Sequence, residues 1–189
     1  MDTRDRFLAA ALRLFAEKGF YGASMDQIAK ELGLTKQALI HHFGSKEKLY
    51  GAVLAQISEH LLSALGEAPY RFVDAVERIY AHTLQHGEET QLLMRELLDN
   101  RRRAEQASTW YLRPFLDGLM QALRRSPAWS EASDTEAAVH VYQLLGAINY
   151  FAVSGPTLSH MYSKAHVDRL SKGFPQHLRL LAEIGPASP

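Results

Sequence analysis

Thr35, Lys36 and Gln37 stand together just after a glycine, and each carries a group suited to a nucleic acid. A lysine ammonium can donate to guanine O6 and N7, and a glutamine amide can pair with adenine N6 and N7. A threonine at a helix start can reach a phosphate, and the helix N-terminus there favours anions. His41 and His42 lie a turn further on, on a side that could touch a nucleic-acid backbone. Lys46 and Lys48 can reach phosphates beyond them, and Ser24 and Ala38 complete the candidate contact set. The same lysines also read as the solvated surface of a small bundle, with one histidine in its core and one outside.

The surrounding sequence predicts how these groups are held. Ser24-Met25-Asp26-Gln27 is a capping box, in which a Ser hydroxyl and a Gln side chain satisfy each other's backbone donors. Met25, Ile28, Ala29 and Leu32 give that helix one apolar face. Ala29 is small enough for a close helix crossing, and Gly33 can take the positive φ of a tight turn. Thr35 caps a short helix to about Phe43, and Ile28, Leu32, Leu34 and Leu39 fill the wedge between the two. These are the requirements of a helix-turn-helix, whose second helix enters the major groove N-terminus first. Before it, Phe7, Ala11, Leu14 and Phe15 mark a first helix, capped by Thr3 and ended by Gly19. After it, Ser45 caps a longer helix reaching about Gly66.

From Thr3 to about Val53 the chain resembles the TetR family of bacterial one-component repressors. The resemblance rests on TRDRFLAAALRLFAEKGF followed by GASMDQIAKELGLTKQALIHHFGSKEKLY. The patterns LF-x-x-x-G-[FY], I-A, G-[VL]-[ST] and HF-x-[ST]-K-E-x-L occur in the family's order and spacing. The resemblance implies three DNA-binding helices on an all-α ligand-binding and dimerisation domain, and repression relieved by a small molecule. It implies that Thr35, Lys36, Gln37 and Ala38 open the recognition helix. His42 then matches the family's histidine before Phe43, and Lys46 its phosphate-contacting lysine. Ile40 and His41 depart from it, because the family often has Tyr and an aromatic there. A hydroxyl contact to phosphate is thereby lost at position 40.

Beyond residue 48 the helical period continues, and the domains expected are 1–48 for DNA and 49–189 for ligand and dimer. Helices are predicted from Pro69 to His86, Glu88 to Arg103 and Trp110 to Arg125, with Pro114 starting or kinking the last. Another opens at the capping box Ser133–Glu136 and ends before Gly155-Pro156, and a final one covers Lys164 to Ile184. The fold class is all-α, with about nine helices in total. The Asp134–Ser154 helix is apolar nearly all round, so it must be covered on two sides. Val141, Leu145 and Ile148, with Phe174, Leu178 and Leu181, are the expected homodimer interface; the alternative is a central helix of a monomeric bundle. Phe72, Tyr80, Met94, Trp110, Tyr111, Phe115, Tyr142 and Asn149 could line an effector pocket or simply pack a core.

Composition narrows the classes. With 21 basic and 21 acidic residues the chain has no net charge, which argues against a protein that coats nucleic acid non-specifically. Residues 1–50 carry eight bases and six acids, for +2, leaving −2 on the remainder. The absence of cysteine removes disulfides, thiolate metal sites and cysteine nucleophiles. No signal peptide or membrane span is read, so a cytoplasmic chain is expected. His82 and His86 are spaced to share a metal, but no third ligand follows at fixed spacing, so no metal or cofactor is assigned. Arg101, Arg102 and Arg103 read as a solvated helix end. No nucleophile elbow, phosphate loop or paired-acid motif supports an enzyme. The reading is a homodimeric repressor that binds a pseudopalindromic operator and releases it on binding a small molecule. An activator of the same fold, or an all-α ligand-binding protein without DNA, are the alternatives.

Overall fold

A computed structural model describes residues 2–67, 69–99 and 111–186. Among the described residues there are nine α-helices, one 3-10 turn and no strand. The helices are α1 (Thr3–Gly22), α2 (Met25–Glu31), α3 (Lys36–Phe43), α4 (Lys46–Leu65), α5 (Phe72–Gln85), α6 (Gly87–Asp99), α7 (Arg113–Arg124), α8 (Asp134–Met161) and α9 (Lys164–Glu183). The 3-10 turn is Pro127–Trp129. Trp110 and the Arg101–Arg103 run lie outside the described residues.

Most boundaries follow the caps. The Ser24 and Ser133 capping boxes both form, Thr35 accepts from the Ala38 N–H, and Ser45 accepts from the Lys48 N–H. Pro114 starts α7, where its missing N–H is harmless. Three expectations are corrected. Asp2, not Thr3, caps α1: it accepts from the Asp5 N–H at 2.8 Å, and Asp5 reciprocates. A carboxylate at this position also meets the positive end of the helix dipole. Gly19 does take a positive φ of 72°, yet helix resumes for one short turn to Gly22. Gly155-Pro156 does not end α8, which runs on to Met161. The Ser159 hydroxyl donates to the Gly155 carbonyl and the Ser154 hydroxyl to that of Phe151, on either side of the proline.

The chain forms two compact units, Met1–Glu59 with Glu88–Tyr111, and His60–Gly87 with Leu112–Pro189. In the first, Phe7, Phe15, Ile28, Leu39, Leu49 and Val53 are fully buried, so α1 to α4 share one core. Arg13 of α1 grips Glu31 of α2 with two guanidinium nitrogens. α6 joins this unit through buried Leu92 and through Glu96, which accepts the Tyr50 hydroxyl at 2.5 Å. In the second unit, α5, α7, α8 and α9 bury Ile79, Leu119, Ile148 and Leu178. No helix among the described residues is long and apolar enough to cross a membrane.

His140 of α8 is an exception to the apolar logic of the second core. Its ring lies 4.5 Å from that of Trp129 and 6.0 Å from that of Phe72, and its Nε2 is buried without a hydrogen bond. Burial pushes its pKa below the usual 6.5, so the folded protein holds it neutral where the unfolded chain begins to take a proton. Its contribution to stability is therefore complete above pH 6.5 and is lost as the pH falls through the folded-state pKa. Urea unfolding from pH 8 to 5 should show a weaker acid loss in His140→Phe than in the parent; equal slopes would exclude His140 as the source.

Candidate nucleic-acid interface

The turn between α2 and α3 is built from backbone bonds around Gly33. The N–H groups of Leu32 and Leu34 donate to the Ala29 carbonyl, and that of Gly33 to Lys30, at 3.0–3.1 Å. Gly33 sits at φ 68°, where a β-carbon would be strained although the space around it is open. Ala29 and Leu39 are buried at the crossing, while Leu32 and Leu34 are half-buried. α3 has only eight residues, so its orientation depends on Leu39 and Phe43, its two buried side chains. A second positive-φ glycine, Gly44 at 79°, reverses the chain into α4.

This leaves the N-terminal turn of α3 open to solvent. Thr35, Lys36 and Gln37 are exposed and Ala38 is half-buried. The Thr35 oxygen accepts the Ala38 N–H at 3.2 Å, which leaves its hydroxyl proton available to an anion. Lys36 does not stand alone: its ammonium lies 3.3 Å from Asp26 of α2. His41 and His42 are exposed, and the His42 ring rests 5.3 Å from that of Phe7. The Lys46 ammonium sits 4.5 Å above the Phe20 ring, a contact that holds a flexible side chain in place. Lys48 is exposed beside Gly44. Ser24 is half-buried, and its hydroxyl oxygen already accepts from Gln27.

Sequence reasoning missed Arg4. It is exposed, and its guanidinium lies 5.7 Å from the Phe43 ring at the end of α3, so α1 brings a further cation to α3. Spacing along the chain gives no sign of this, because it depends on how α1 crosses α3. Glu47 opens α4 with a pKa lowered chiefly by a backbone N–H and then by the Ser45 hydroxyl. It places one anion beside the cations.

The expected interface residues divide. Val141, Ile148 and Leu178 are at most 2 % exposed, so they belong to the core of their own unit and are not a subunit surface. The helix period accounts for this: Ala137, Val141, Leu144 and Ile148 form the inward stripe of α8. Leu145 and Phe174 are half-buried, the latter stacked on Phe151 at 4.2 Å, and Leu181 is exposed. The outward stripe of α8 is Val139, Tyr142, Gly146, Tyr150 and Val153. Leu180, Leu181 and Ile184 are exposed near the end of α9.

The expected effector residues are equally scattered. Tyr142 points outward and Tyr111 is exposed, so neither lies in a closed pocket. Met94 and Asn149 are half-buried, and Phe115 is core. Tyr80 is buried near Phe151 and Phe174, its hydroxyl has no hydrogen bond, and burial raises its pKa. Phe72 lines an open cavity of about 570 Å³ with Tyr70, Arg71, Arg125, Trp129 and Glu183. Apolar walls with a few charged groups are the usual make-up of a small-molecule site.

Comparison with known proteins gives a family-model match over the N-terminal quarter of the chain and a fold for nearly all of it. Residues 7–53 match the model of the bacterial regulatory proteins of the tetR family. The chain is 36% identical over 80 residues to the HTH-type transcriptional activator FasR of Mycolicibacterium smegmatis, a match covering 42% of this chain and 36% of that protein. It is 36% identical over 81 residues to the HTH-type transcriptional regulator LmrA of Bacillus subtilis, covering 42% and 43%. The chain thus aligns with less than half the length of these curated relatives. Nearly the whole fold matches a transcriptional regulator from Streptomyces coelicolor, with a TM-score of 0.69, 24% identity, and 96% and 97% of the two chains covered.

Proposed function

We propose that this chain, a member of the TetR family of bacterial regulators, is a homodimeric repressor whose hold on an operator is released by a small molecule. The observation that carries the DNA half of this reading is the open N-terminal turn of α3. There Thr35, Lys36 and Gln37 project from a buried Leu39 anchor, with Lys46 and Lys48 close by in sequence. Two such helices related by a dyad would meet successive major grooves about one helical turn, or a multiple, apart.

Gln37 and Lys46 have separable roles in that reading. Gln37→Ala should lose about 1–3 kcal/mol of discrimination at one base pair and leave non-specific binding unchanged. Lys46→Ala should weaken binding to all sequences alike and reduce the salt slope by about one. Mobility shifts with DNA from beside the protein's own gene, run over a salt series, measure both. Two variants that bind like the parent would remove the assignment of this surface.

The outward stripe of α8 and the exposed end of α9 supply the proposed dimer surface. Stripes from two copies would pack as a four-helix bundle, which a dyad makes self-complementary. The effector is assigned to the cavity beside Phe72 and Trp129. α4 is the proposed transmission element, since one unbroken helix carries both Lys46 and Leu49 at its start and Leu61 and Leu62 near its end. An effector that favours the state with the wrong spacing of α3 helices lowers operator affinity by its differential affinity for that state. Activation is the second reading, favoured by the similarity to a protein named as an activator. Transcription of a reporter with and without the protein separates the two.

A further inference from the structure

The cavity beside Phe72 and Trp129 lies wholly within the second unit, and its polar groups are unevenly engaged. Phe72, Val73, Ala122, Pro127 and Trp129 give it apolar walls, and its volume of about 570 Å³ is that of a small-molecule site. Its neutral side-chain donors already have acceptors. The Trp129 indole N–H donates to the Ile184 carbonyl at 2.8 Å, the Ser126 hydroxyl to that of Leu123 at 2.6 Å, and the Tyr70 hydroxyl to that of Gly118 at 3.3 Å. Two guanidinium groups remain. That of Arg125 has no hydrogen-bond or ion-pair partner among the described residues, and that of Arg71 has only Asp74 at 4.0 Å. Glu183 is the one acid in the lining, and Arg179 stands 3.6 Å from its carboxylate, so the cavity is left positive. Burial raises the Tyr70 pKa, and the charge of Arg125, then that of Arg78, opposes the rise, so the Arg125 charge is felt at the cavity wall. α5 starts at the same wall with no side chain capping it, and the positive end of its dipole adds to these cations.

We propose that this cavity takes an organic carboxylate, with a ring-sized apolar body against Phe72 and Trp129 and its carboxylate on Arg125. A guanidinium presents paired N–H donors that match the two oxygens of a carboxylate. Arg71 and the start of α5 add positive potential to the same side. A neutral ligand of the same shape gains nothing from these charges, and a cationic one is repelled by them. A sugar would bring hydroxyl groups to apolar walls whose polar neighbours already have partners, which costs it their hydration. The proposal rests on placing the effector in this cavity and adds its chemical class.

The test titrates the full-length protein by calorimetry with benzoate, 2-naphthoate and indole-3-acetate, each beside its uncharged amide. At least one carboxylate should bind, one per protomer, with its amide weaker by about tenfold or more. Saturation with that carboxylate should raise the melting temperature, as expected of a ligand selective for the folded state. Arg125→Gln should weaken the carboxylate by about tenfold and leave its amide unchanged, because only the charged contact is lost. Arg169→Gln, which changes an exposed arginine of α9 outside the cavity lining, should alter neither. Arg125 is itself exposed, and circular dichroism checks that the variant remains folded. No carboxylate bound more tightly than about 1 mM overturns the proposal. So does an amide that binds as well as its acid, or carboxylate binding indifferent to Arg125→Gln. Operator release is read separately by mobility shift. A carboxylate that binds through Arg125 yet leaves the operator held removes the effector role of the cavity and keeps its ligand class.

Discussion

Phe7→Ala is expected to destabilise the N-terminal unit by about 3–5 kcal/mol, the range for deleting a buried phenyl ring. Phe7 is fully buried, and its ring meets those of His42 at 5.3 Å and Phe43 at 6.2 Å. Both contacts are on α3, whose eight residues are too few to hold a helix alone. The substitution therefore removes a main anchor of α3, the proposed recognition helix, as well as core volume. Since small domains are stable by about 5–15 kcal/mol in total, this loss is a large fraction of the whole. Thermal and urea unfolding should show it, and operator binding should fail even where the remaining helices persist. Phe7→Leu keeps most of the volume and should cost far less, with binding retained. A Phe7→Ala protein that melted like the parent would show that α3 is held by something other than this ring.

The second large effect concerns Gly146. A β-carbon added there meets no atom within 4 Å, and the residue sits at the centre of the outward stripe of α8. Within one protomer, Gly146→Arg replaces the poorest helix former but proline, and should stabilise α8 by roughly 1 kcal/mol. Across a dyad the same change sets two guanidinium groups against each other in an apolar contact. The expected result is a folded monomer by sedimentation, with unchanged helical content and operator affinity down about a hundredfold or more, since two linked heads become one. A Gly146→Arg protein that stays dimeric and binds normally would move the subunit contact to another face.

The N-terminal unit was legible in the sequence because its determinants are local. Capping at Ser24 and Thr35, the positive φ at Gly33 and the wedge of Ile28, Ala29 and Leu39 all follow from neighbours within a few positions. Which side of α8 faces its own core was misjudged for the opposite reason. An all-apolar helix has no hydropathy contrast, so which side faces the core depends on its neighbours, and α8 chose Val141 and Ile148 over Val139 and Tyr142. Gly155-Pro156 misled in the same way: two helix breakers in a row were outweighed by the helix that continues on either side of them. Contacts made by crossing helices, such as Arg4 with Phe43 and His60 with His86, leave no periodic trace at all.

In the proposed operator complex, the ion pair between Lys36 and Asp26 has a consequence for how the operator is chosen. A base acceptor offered to Lys36 enters as a replacement ligand, displacing a carboxylate already in place. At a wrong base pair the ammonium can fall back on Asp26 and is not stranded, so the penalty for a mismatch there is softened. Gln37 has no such refuge in the hydrogen bonds resolved for it, and a wrong base leaves its amide unsatisfied. The two neighbouring positions should thus read DNA with unequal strictness. On the proposed reading, one would tolerate drift in the operator sequence and the other would police it, which would let a single regulator govern several related promoters without losing its register.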